Sequence, residues 1–488
     1  MSAEEAAELI CDGEVLGVSG FTLAGYPKLV PTALAKRAER LHAEGKPFQV
    51  TLFSGASTGD ECDGALARAK AIRFRAPYQS NRDLRSAINC GDVFYADVHL
   101  GMMGRLVRTG ALPRPTTAIV EASDVSADGK IRFTTSCGNS VEYLQMADRI
   151  IVEWNSAYGD SLSGIHDCFL PELPPNAAPI PILHVLDRIG KDFVQVPPEK
   201  IVAVVLSNAK DSIRPFTEPD AVSKTIAGHI LEFIAHERKK GRLPHGLPYQ
   251  SGVGNVANAV LAAMARDPMQ EPVCLFTEVI QEAVFELIRS DKLVGASGTA
   301  LTCSAAACEF FMRNAAELKK KFVLRPQELS NHPEVIRRLG VISMNTALEC
   351  DIYGNVNSSH VCGSSVMNGI GGSADFSRNC LLGFFMTPST AKNGMVSAIV
   401  PYVSHVDHSD HETNVFVTEQ GLADLRGLDP VTRACKIIEN CAHPDYRQLL
   451  KDYLFYSLKT SKGKHVPVAL DKAFEMHLRF LSNETMKE

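Results

Sequence analysis

The sequence predicts an α/β protein with largely parallel sheets in two domains. Short apolar runs typical of buried strands alternate with amphipathic stretches typical of helices, which is the order expected when helices cover both faces of a parallel sheet. The alternation occurs in two successive series along the chain. The length of 488 residues also exceeds what one hydrophobic core usually serves.

The first series of predicted strands lies in the N-terminal part of the chain. Its strands are EVLGVSG (14–20), FQVTLFSG (48–55), TAIVEAS (117–123), DRIIVEWN (148–155) and KIVAVV (200–205). These runs end in small or turn-forming residues, as buried strands commonly do. The stretch VPTALAKRAERLHAEG (30–45) has the spacing of an amphipathic helix and connects the first two strands.

The second series follows the turn-rich segment IRPFTEPD (213–220). Its strands are PVCLF (272–276), KLVGASG (292–298), KFVLRP (321–326), VISMN (341–345), MVSAIVP (395–401) and VFVTEQG (415–421). We therefore predict an N-terminal domain at residues 1–218 and a C-terminal domain at residues 219–488. EVLGVSGFTLAG (14–25) resembles KLVGASGTALTC (292–303), which suggests that the two domains are related.

Charge and hydropathy exclude several classes of partner. The net charge is −6 and the pI is about 6.2, without a block of basic residues, so we expect neither nucleic acid nor an anionic membrane as the partner. No apolar run approaches the roughly 18–20 residues that span a bilayer. The sequence predicts a soluble intracellular protein with small-molecule substrates, located in the cytoplasm or, after removal of a presequence, in a mitochondrial-type organelle matrix.

The first glycine cluster is SGVGNVANAVLAAMA (251–265). Gly252 to Ala257 match the G-x-G-x-x-G/A pattern of dinucleotide-binding folds, but HGLPYQ, the preceding segment, contains a proline and is not predicted to be a central parallel strand. A nicotinamide site is therefore the weaker alternative. Glycines before an apolar helix also expose backbone N–H groups at its positive end, where a phosphate or an oxyanion is stabilised. A plain helix cap is the structural alternative.

The second glycine cluster is MNGIGGSADFSRN (367–379), in which a ligand can approach the backbone closely unless the glycines only form a tight turn. Two Thr-Glu pairs add carboxylates: Glu278 follows the strand PVCLF, and Glu419 follows VFV. Because ligands bind at the carboxyl ends of parallel strands, these two carboxylates predict a site.

Metal and serine chemistry are disfavoured by the spacing of the candidate residues. HVDHSDH (405–411) offers imidazoles and carboxylates, but alternate residues on a strand face opposite sides, so a polar loop beside the site is the better interpretation. The 13 cysteines include no C-x-x-C pair, which argues against a zinc site and a disulfide framework. The chain also lacks a G-x-S-x-G elbow. We predict no metal, and a carboxylate is the leading nucleophile.

Taken together, the motifs resemble the acetyl-CoA hydrolase/transferase family, within the class I CoA-transferases, over residues 4 to 480. The motifs that carry the resemblance are SGFTLAGYPK, SGASTGD, QSGVGNVANAV, FTEVIQ, RPQELSNHPEVIRRLG, DIYGNVNSS, MNGIGGSADFSRN, VTEQGLADLRGL and CAHPDYR. The resemblance implies two related α/β/α domains of the CoA-transferase type with the active site between them. It also implies a catalytic glutamate in the second domain, Glu278 in FTEVIQ.

The resemblance implies transfer of coenzyme A between short-chain carboxylic acids through an acyl-glutamyl anhydride and a glutamyl-CoA thioester. By the same match, the backbone N–H groups of Val253 and Gly372 stabilise the oxyanions. Ser57, Asn331 and Glu419 correspond to polar residues that line the family's site. A carboxylate that loses its hydration in a closed cleft becomes an effective nucleophile.

The resemblance also implies a coenzyme A site. It is carried over onto Gln250, Ser251, Gly252, Val253, Gly254, Leu348, Asn368, Gly372 and Lys392. A lysine beside a nucleotide phosphate makes electrostatic sense. No tightly bound cofactor is implied, because the coenzyme A thioester is a substrate, and the chain is expected to form a homodimer.

The acyl specificity stays open at this point. Where relatives carry an arginine near the acyl pocket, this sequence has Ser212, flanked by Lys210 and Arg214, which puts a preference for succinate in doubt. Acetyl-CoA hydrolysis, or transfer with a preference for propionyl-CoA or butyryl-CoA, are the alternatives that use the same residues. A module that only binds coenzyme A or a nicotinamide cofactor would keep the glycine loops but have no use for Glu278.

Overall fold

The computed structural model describes residues 1–211, 213 and 217–487. The strands up to residue 216 are β1 (Val15–Val18), β2 (Val50–Phe53), β3 (Ile72–Ala76), β4 (Phe94–Tyr95), β5 (Thr117–Val125), β6 (Lys130–Phe133), β7 (Arg149–Asn155), β8 (Val194–Gln195) and β9 (Ile201–Ser207). The α-helices of the same part are α1 (Ala3–Glu8), α2 (Leu29–Ala43), α3 (Ala65–Arg68), α4 (Arg82–Asn89), α5 (Leu100–Arg108) and α6 (Ser140–Met146). Short π and 3₁₀ turns occur at Asp60–Gly64, Gly159–Leu162 and Pro198–Lys200.

After residue 216 the alternation of strands and helices continues. The strands are β10 (Tyr249–Ser251), β11 (Val273–Phe276), β12 (Val279–Gln281), β13 (Leu293–Gly298), β14 (Ala300–Thr302), β15 (Phe322–Leu324), β16 (Ile342–Thr346), β17 (Glu349–Asp351), β18 (Val356–Asn357), β19 (His360–Val361), β20 (Ser365–Val366), β21 (Leu382–Met386), β22 (Thr390–Ala391), β23 (Val396–Ser397), β24 (Ile399–Val400), β25 (Val415–Thr418) and β26 (Gly421–Asp424). The helices are α7 (Ala221–Lys239), α8 (Asn255–Arg266), α9 (Val284–Arg289), α10 (Ala305–Arg313), α11 (Ala315–Leu318), α12 (Gln327–Ser330), α13 (Pro333–Leu339), α14 (Ser373–Ser377), α15 (Pro430–Asn440), α16 (Pro444–Ser461) and α17 (Glu475–Asn483).

The chain divides into two compact units, each built from separate segments. The first unit comprises Met1–Phe216, Pro272–Leu339 and Asn368–Asp375, and the second comprises Thr217–Glu271, Gly340–Met367 and Phe376–Glu488. Glu278, which the sequence assigns to the C-terminal domain, belongs to the first compact unit. The domain division at residues 218 and 219 stays a prediction.

The N-terminal segment of the first unit forms a sheet that is mostly parallel. Its parallel strands pair in the order β4, β3, β2, β1, β5, β7 and β9, and β6 and β8 add antiparallel pairs beside β5. The prediction of an α/β fold with largely parallel sheets is confirmed.

Strand β7 shows why the apolar runs of this sheet are continuous. Ile150, Ile151 and Val152 are all fully buried, although neighbouring side chains on a strand point to opposite faces. Ile150 and Val152 join one hydrophobic cluster and Ile151 joins another. Because helices cover both faces, both sets of side chains leave water, and each contributes about 1.5–3 kcal/mol.

The candidate site lies at the ends of the remaining strands of the first unit. Strands β11, β13 and β15 pair in parallel, and β12 pairs in parallel with β14. Only Thr277 and Glu278 separate β11 from β12. The carbonyl oxygen of Glu278 accepts hydrogen bonds from the backbone N–H groups of Thr299 (2.7 Å) and Ala300 (3.2 Å), which fixes this turn.

The second unit also has parallel strands, paired in the order β10, β16, β21 and β25, with β26 antiparallel to β25. The sequence did not predict β10, because Pro248 stands directly before it. The strand starts at the next residue and is only three residues long, so the proline occupies its entrance and not its interior. Glycines 252 and 254 therefore do follow a parallel strand and precede the 12-residue helix α8.

A buried ion pair ties the long segment before β8 to the strands that carry the site. The Arg325 guanidinium pairs with Asp167, and it donates to Ser297 Oγ (2.7 Å) and to the carbonyl oxygens of Val185 (3.0 Å) and Asp187 (2.5 Å). Both charged side chains are fully buried. Burial lowers the pKa of Arg325 to about 10, while the negative charge of Asp167 opposes that shift.

We expect Arg325→Met to lower the free energy of unfolding by about 3–5 kcal/mol, because it leaves the Asp167 carboxylate buried without its partner. Urea unfolding followed by circular dichroism measures the change. Arg313→Met is the control, since Arg313 pairs with Glu309 at 74% exposure of the arginine and should change stability by no more than about 0.5 kcal/mol. Equal stabilities of the Arg325 variant and the wild type would contradict the prediction.

Candidate functional site

Glu278 lies at the carboxyl end of β11, in the two-residue turn that connects β11 to β12. Its side chain is partly buried. The Asn331 Nδ2 amide donates to Glu278 Oε1 at 2.5 Å. Asn331 follows helix α12 directly, so a strand end and a helix end bring the carboxylate and the amide together.

Asn331 is itself held on both sides. Ser330 Oγ donates to Asn331 Oδ1 at 2.7 Å, and Asn331 Nδ2 donates a second bond to Asp375 Oδ2 at 3.1 Å. The backbone N–H of Gly101, at the start of α5, donates to the same Asp375 oxygen at 2.9 Å. One amide group therefore bridges two carboxyl groups, Glu278 and Asp375.

The glycine segment Asn368–Asp375 lies against the end of β4. Tyr95 Oη donates to the carbonyl oxygen of Asn368 at 2.9 Å, and the N–H of Ile370 donates to both Asp97 carboxylate oxygens at 2.8 and 3.0 Å. A Cβ on Gly369 would lie 2.5 Å from Tyr95 Oη and 2.7 Å from Asp97 Oδ1, so any larger residue would have to displace these side chains. These contacts hold Gly372 in place.

Gly372 lies next to the Glu278 carboxylate. A Cβ built on Gly372 would overlap Glu278 Oε1 and Asn331 Nδ2. The glycine therefore provides the space in which the carboxylate lies. The sequence predicts the three residues Glu278, Asn331 and Gly372 as members of one site, and the structure brings them together.

The environment of Glu278 favours its neutral form. Burial raises the pKa of its carboxyl group to about 8, the hydrogen bond from Asn331 opposes this shift, and the nearby Asp375 adds to it. Burial also raises the pKa of Asp375 to about 7, against the hydrogen bonds from Gly101 and Asn331. Burial raises the pKa of Tyr78 to about 12, with a smaller contribution from the charge of Glu278. Strongly shifted groups of this kind are typical of active sites.

These pKa values predict a pH dependence. If Glu278 acts in its ionised form, kcat/KM rises about tenfold per pH unit and levels off near pH 8, because this ratio reports the free enzyme. Asp375→Asn removes the neighbouring charge, so the midpoint of the rise should shift to lower pH. The asparagine Oδ1 can accept the same two hydrogen bonds, from Gly101 and Asn331. An unmoved midpoint in the variant, or a profile that is flat from pH 6 to 9, would contradict this prediction.

Ser57 also belongs to the first unit. The residue is fully buried, its carbonyl oxygen accepts from the N–H of Leu23 at 3.4 Å, and its Oγ has no hydrogen-bond partner among the described residues. A buried hydroxyl without a partner is available to a bound molecule. Its assignment to the site stays a prediction.

In the second unit, five predicted coenzyme A contacts lie at the end of β10 and in the loop that follows it. The Gln250 side chain is buried, donates to Asn345 Oδ1 at 3.1 Å and accepts from the N–H of Met344 at 3.0 Å. The N–H of Gly252 donates to the carbonyl oxygen of Met344 at 2.8 Å. Ser251 is buried, whereas the Val253 side chain is 52% exposed and Gly254 has a φ of 137° before α8. Gln250 thus holds the loop on β16, and Val253 presents its backbone at the positive end of a helix.

Two other predicted coenzyme A contacts lie elsewhere in the second unit. Leu348, between β16 and β17, is 37% exposed. Lys392 is exposed at the turn between β22 and β23, and its ammonium group lies 4.6 Å from the centre of the Phe480 ring. An exposed cation on an apolar support is suited to a phosphate group.

Glu419 follows β25 at its carboxyl end. The N–H of Ser389 donates to Glu419 Oε2 at 2.8 Å, and the Ser389 hydroxyl donates to Oε1. Burial opposes ionisation, but these hydrogen bonds hold the pKa of the Glu419 carboxyl below its usual range. Its environment is therefore opposite to that of Glu278, and Glu419 is suited to remain an anion.

The sequence did not assign Asp375 and Tyr78 to the site. Asp375 stands three residues after Gly372, and this proximity was the available signal, whereas no pattern around Tyr78 distinguishes it from a core tyrosine. Ser212 and Arg214 lie outside the described residues, and Lys210 is exposed.

The fold is of the α/β class, and the group of Glu278, Asn331, Gly372 and Asp375 at its strand ends has the shifted carboxyl groups that are typical of active sites. The model of the acetyl-CoA hydrolase/transferase N-terminal domain matches residues 1–206, and that of the C-terminal domain matches residues 309–454. The chain belongs to the acetyl-CoA hydrolase/transferase family. The resemblance predicted from the motifs is therefore confirmed, as is the prediction that the chain is an enzyme.

Three relatives cover nearly the whole chain. A succinyl-CoA:acetate CoA-transferase of Clostridium kluyveri is 46% identical over 100% of this chain and 90% of that protein. A propanoyl-CoA:succinate CoA transferase of Escherichia coli is 43% identical, over 100% of this chain and 98% of its own. An acetyl-CoA hydrolase of Schizosaccharomyces pombe is 41% identical over 98% of this chain and 94% of that protein.

Solved structures also share the fold. RipA from Yersinia pestis has a TM-score of 0.69 at 23% identity and covers 93% of this chain and 96% of its own. Among the described residues of this chain, every helix is too short or too polar to span a lipid bilayer.

Proposed function

We propose that this enzyme transfers coenzyme A between short-chain carboxylic acids, with acetyl-CoA or succinyl-CoA as donor and acetate or succinate as acceptor. The observation that carries the proposal is the Glu278 carboxylate, which ends a parallel strand, receives the Asn331 amide and lies against Gly372. The name of the Clostridium kluyveri relative supports the choice of acids.

In the proposed first step, ionised Glu278 attacks the thioester carbonyl carbon of the donor. Asn331 holds Oε1, so we assign the attack to Oε2. The C–S bond breaks, the thiolate of coenzyme A leaves, and an acyl-glutamyl anhydride remains. The thiolate then attacks the glutamyl carbonyl carbon and releases the donor carboxylate, which leaves a glutamyl-CoA thioester.

The acceptor reverses these two steps. Its carboxylate attacks the glutamyl-CoA carbonyl carbon and releases the thiolate, so a new anhydride forms. The thiolate attacks the acyl carbonyl carbon of that anhydride, which yields the new acyl-CoA and restores the Glu278 carboxylate. One thioester is consumed and one is formed, and the reaction uses no proton donor and no redox partner.

Each attack passes through a tetrahedral oxyanion, for which we propose the backbone N–H groups of Gly372 and Val253 as donors. One such donor is worth about 3 kcal/mol in comparable enzymes. Gly372 lies beside the nucleophile, and Val253 lies two residues before α8, near the helix end whose dipole favours negative charge. Ser57 and Glu419 are proposed as further polar residues of the site.

For coenzyme A we propose the loop Gln250 to Gly254 together with Leu348, Asn368, Gly372 and Lys392. The exposed Lys392 ammonium group is suited to a nucleotide phosphate, and Leu348 offers apolar surface. Binding energy from the distant nucleotide can then be applied to the reacting thioester. The homodimer and the domain boundary near residue 218 stay predictions.

Hydrolysis of acetyl-CoA is the second candidate function, and the likeness to the acetyl-CoA hydrolase of Schizosaccharomyces pombe favours it. A hydrolase would use the same nucleophile, but water would attack the acyl or glutamyl intermediate. Turnover that does not depend on an added acceptor carboxylate distinguishes this activity from transfer.

The proposal is tested by mass spectrometry of the protein mixed with succinyl-CoA or acetyl-CoA without acceptor and quenched in acid. We expect a coenzyme A adduct on the peptide that contains Glu278. Steady release of free coenzyme A without an adduct would favour hydrolysis. Neither an adduct nor released coenzyme A with any short-chain acyl-CoA would overturn the proposal.

A further inference from the structure

Two imidazoles and a carboxylate meet in the second unit, apart from the residues assigned to coenzyme A transfer. His360 begins the short strand β19, and His405 and Asp407 lie in the loop that precedes β25. The ring centres of His360 and His405 are 3.9 Å apart with a tilt of 34°. One ligand atom from each of His360, His405 and Asp407 lies within 4.8 Å of the other two.

The distances suit a shared cation. His405 Nε2 lies 3.3 Å from Asp407 Oδ1. Two ligands at about 2.0–2.2 Å on one tetrahedral zinc ion are themselves roughly 3.3–3.5 Å apart. This pair is therefore already at ligand spacing, and a ligand atom of His360 lies within 4.8 Å of both.

Ser359 fixes the orientation and the tautomer of His360. Ser359 Oγ lies 2.7 Å from both Asp407 carboxylate oxygens and 2.7 Å from His360 Nδ1. The carboxylate has no proton to give, so the hydroxyl donates to Asp407 and accepts from Nδ1–H of His360. Nε2 of His360 then carries the free lone pair. A metal-binding histidine typically donates its second ring N–H in this manner.

Asp407 is held at a fixed position by hydrogen bonds. Its side chain is only 3% exposed. The backbone N–H of Ser358 donates to Asp407 Oδ2 at 2.7 Å, in addition to the bonds from Ser359. His405 is 38% exposed, so it leaves one side of the cluster open to solvent and to an entering ion.

We propose that His360, His405 and Asp407 bind one divalent transition-metal ion of the zinc type, with solvent in the remaining coordination positions. Two imidazoles and one carboxylate are a donor set typical of zinc and related first-row ions, whereas calcium and magnesium favour oxygen ligands. The ion would link the segment Ser358–His360 to the loop at residues 404–408. Its role would be to fix this loop.

The sequence predicts no metal here, because alternate residues of the segment 405–411 would face opposite sides of a strand and could not converge. In the structure His408 points elsewhere, packing on Phe385 with ring centres 4.6 Å apart, and His411 is 87% exposed. The third ligand comes from 45 residues earlier in the chain. Cys362 stands two residues after His360, but it does not belong to the group whose ligand atoms meet, so the local sequence does not indicate His405 and Asp407 as the partners of His360.

The test uses Co²⁺ as a spectroscopic substitute for zinc with the full-length protein, after removal of metals with a chelator. We expect one Co²⁺ per chain with visible absorption bands of low-symmetry cobalt and without the near-ultraviolet charge-transfer band that thiolate ligands produce. Competition with Zn²⁺ should abolish the bands. The protein should also melt at a higher temperature with Zn²⁺ than without it.

Variants locate the ion. His360→Asn and His405→Asn should each weaken Co²⁺ binding by at least about 10–100-fold, and Ser359→Ala by about 10-fold through loss of orientation. His411→Asn is the matched control on the same loop and should bind Co²⁺ as the wild type does. Circular dichroism establishes that each variant is folded.

Three results would overturn the inference. The first is that the protein binds neither Co²⁺ nor Zn²⁺ at 100 μM. The second is a thiolate charge-transfer band, which would place the ion on cysteines. The third is an unchanged affinity for Co²⁺ in both histidine variants.

Discussion

Glu278→Gln is expected to abolish coenzyme A transfer, with kcat lower by at least about 10⁴-fold. The amide has the size and shape of the carboxylate, and its oxygen can still accept the bond from Asn331 Nδ2. It is, however, too weak a nucleophile to form the anhydride. A coupled assay of succinyl-CoA and acetate measures the loss, and mass spectrometry should find no coenzyme A adduct on the variant.

The control for this substitution is Glu286→Gln, eight residues further along the chain. Glu286 lies on α9, is 38% exposed and pairs with Arg289. Its substitution removes the same charge without touching the site, so activity should stay within about twofold of the wild type. Glu278→Gln with more than a hundredth of wild-type activity would show that the nucleophile is another group.

Stability should change in the opposite direction to activity in Glu278→Gln. The pKa of Glu278 is about 8 in the folded protein and 4.5 for an ordinary glutamate. A carboxyl group with a raised folded-state pKa destabilises the fold increasingly as the pH rises from the lower to the higher value. At pH 8 and above, the glutamine variant should therefore be more stable to urea than the wild type. The result would identify Glu278 as a residue retained for function at a cost in stability.

The parallel sheets could be predicted because their signal is local. Strand β7 buries Ile150, Ile151 and Val152 on alternating faces, so the apolar run itself indicates a strand covered on both sides. Strand β10 gave no comparable signal, because three residues after a proline are too short to show a period. The run at 395–401 was predicted as one strand and instead forms the two-residue strands β23 and β24, since a bend at Ala398 lets them pair with different partners.

The candidate site could be predicted only in part. Glu278 was accessible from its position after an apolar run, and Gly372 from the glycine cluster. Asn331 came from the family motif, because nothing in LSNHP by itself indicates a bond to a residue 53 positions away. Asp375 shares the Asn331 amide with Glu278, which is a tertiary relation that no single segment records. The cluster of His360 with Asp407 is of the same kind, with its members brought together from distant segments.

Gly372→Ala is expected to lower kcat by about 10²–10³-fold although it adds a single methyl group. The added Cβ would overlap Glu278 Oε1 and Asn331 Nδ2, so the carboxylate must move from the position that Asn331 gives it. Gly372 is not among the residues with positive φ, and alanine is therefore compatible with its backbone. The loss should appear in kcat and not in the fold, because the displaced atoms are the side-chain ends of the nucleophile and of its partner Asn331.

Gly228→Ala is the matched control for Gly372→Ala. Gly228 lies within α7, where an added Cβ meets no atom within 4 Å among the described residues, and alanine there should stabilise the helix by up to about 1 kcal/mol. If the Gly372 variant has wild-type activity, the carboxylate can relax without loss, and the close fit of Gly372 against Glu278 has no catalytic meaning. The opposite result is a fall in its activity while its circular dichroism spectrum and urea midpoint match those of the wild type. That result would show that the glycine preserves the position of the Glu278 oxygen to within about 1 Å, because displacements of that size cost on the order of 10²-fold in rate.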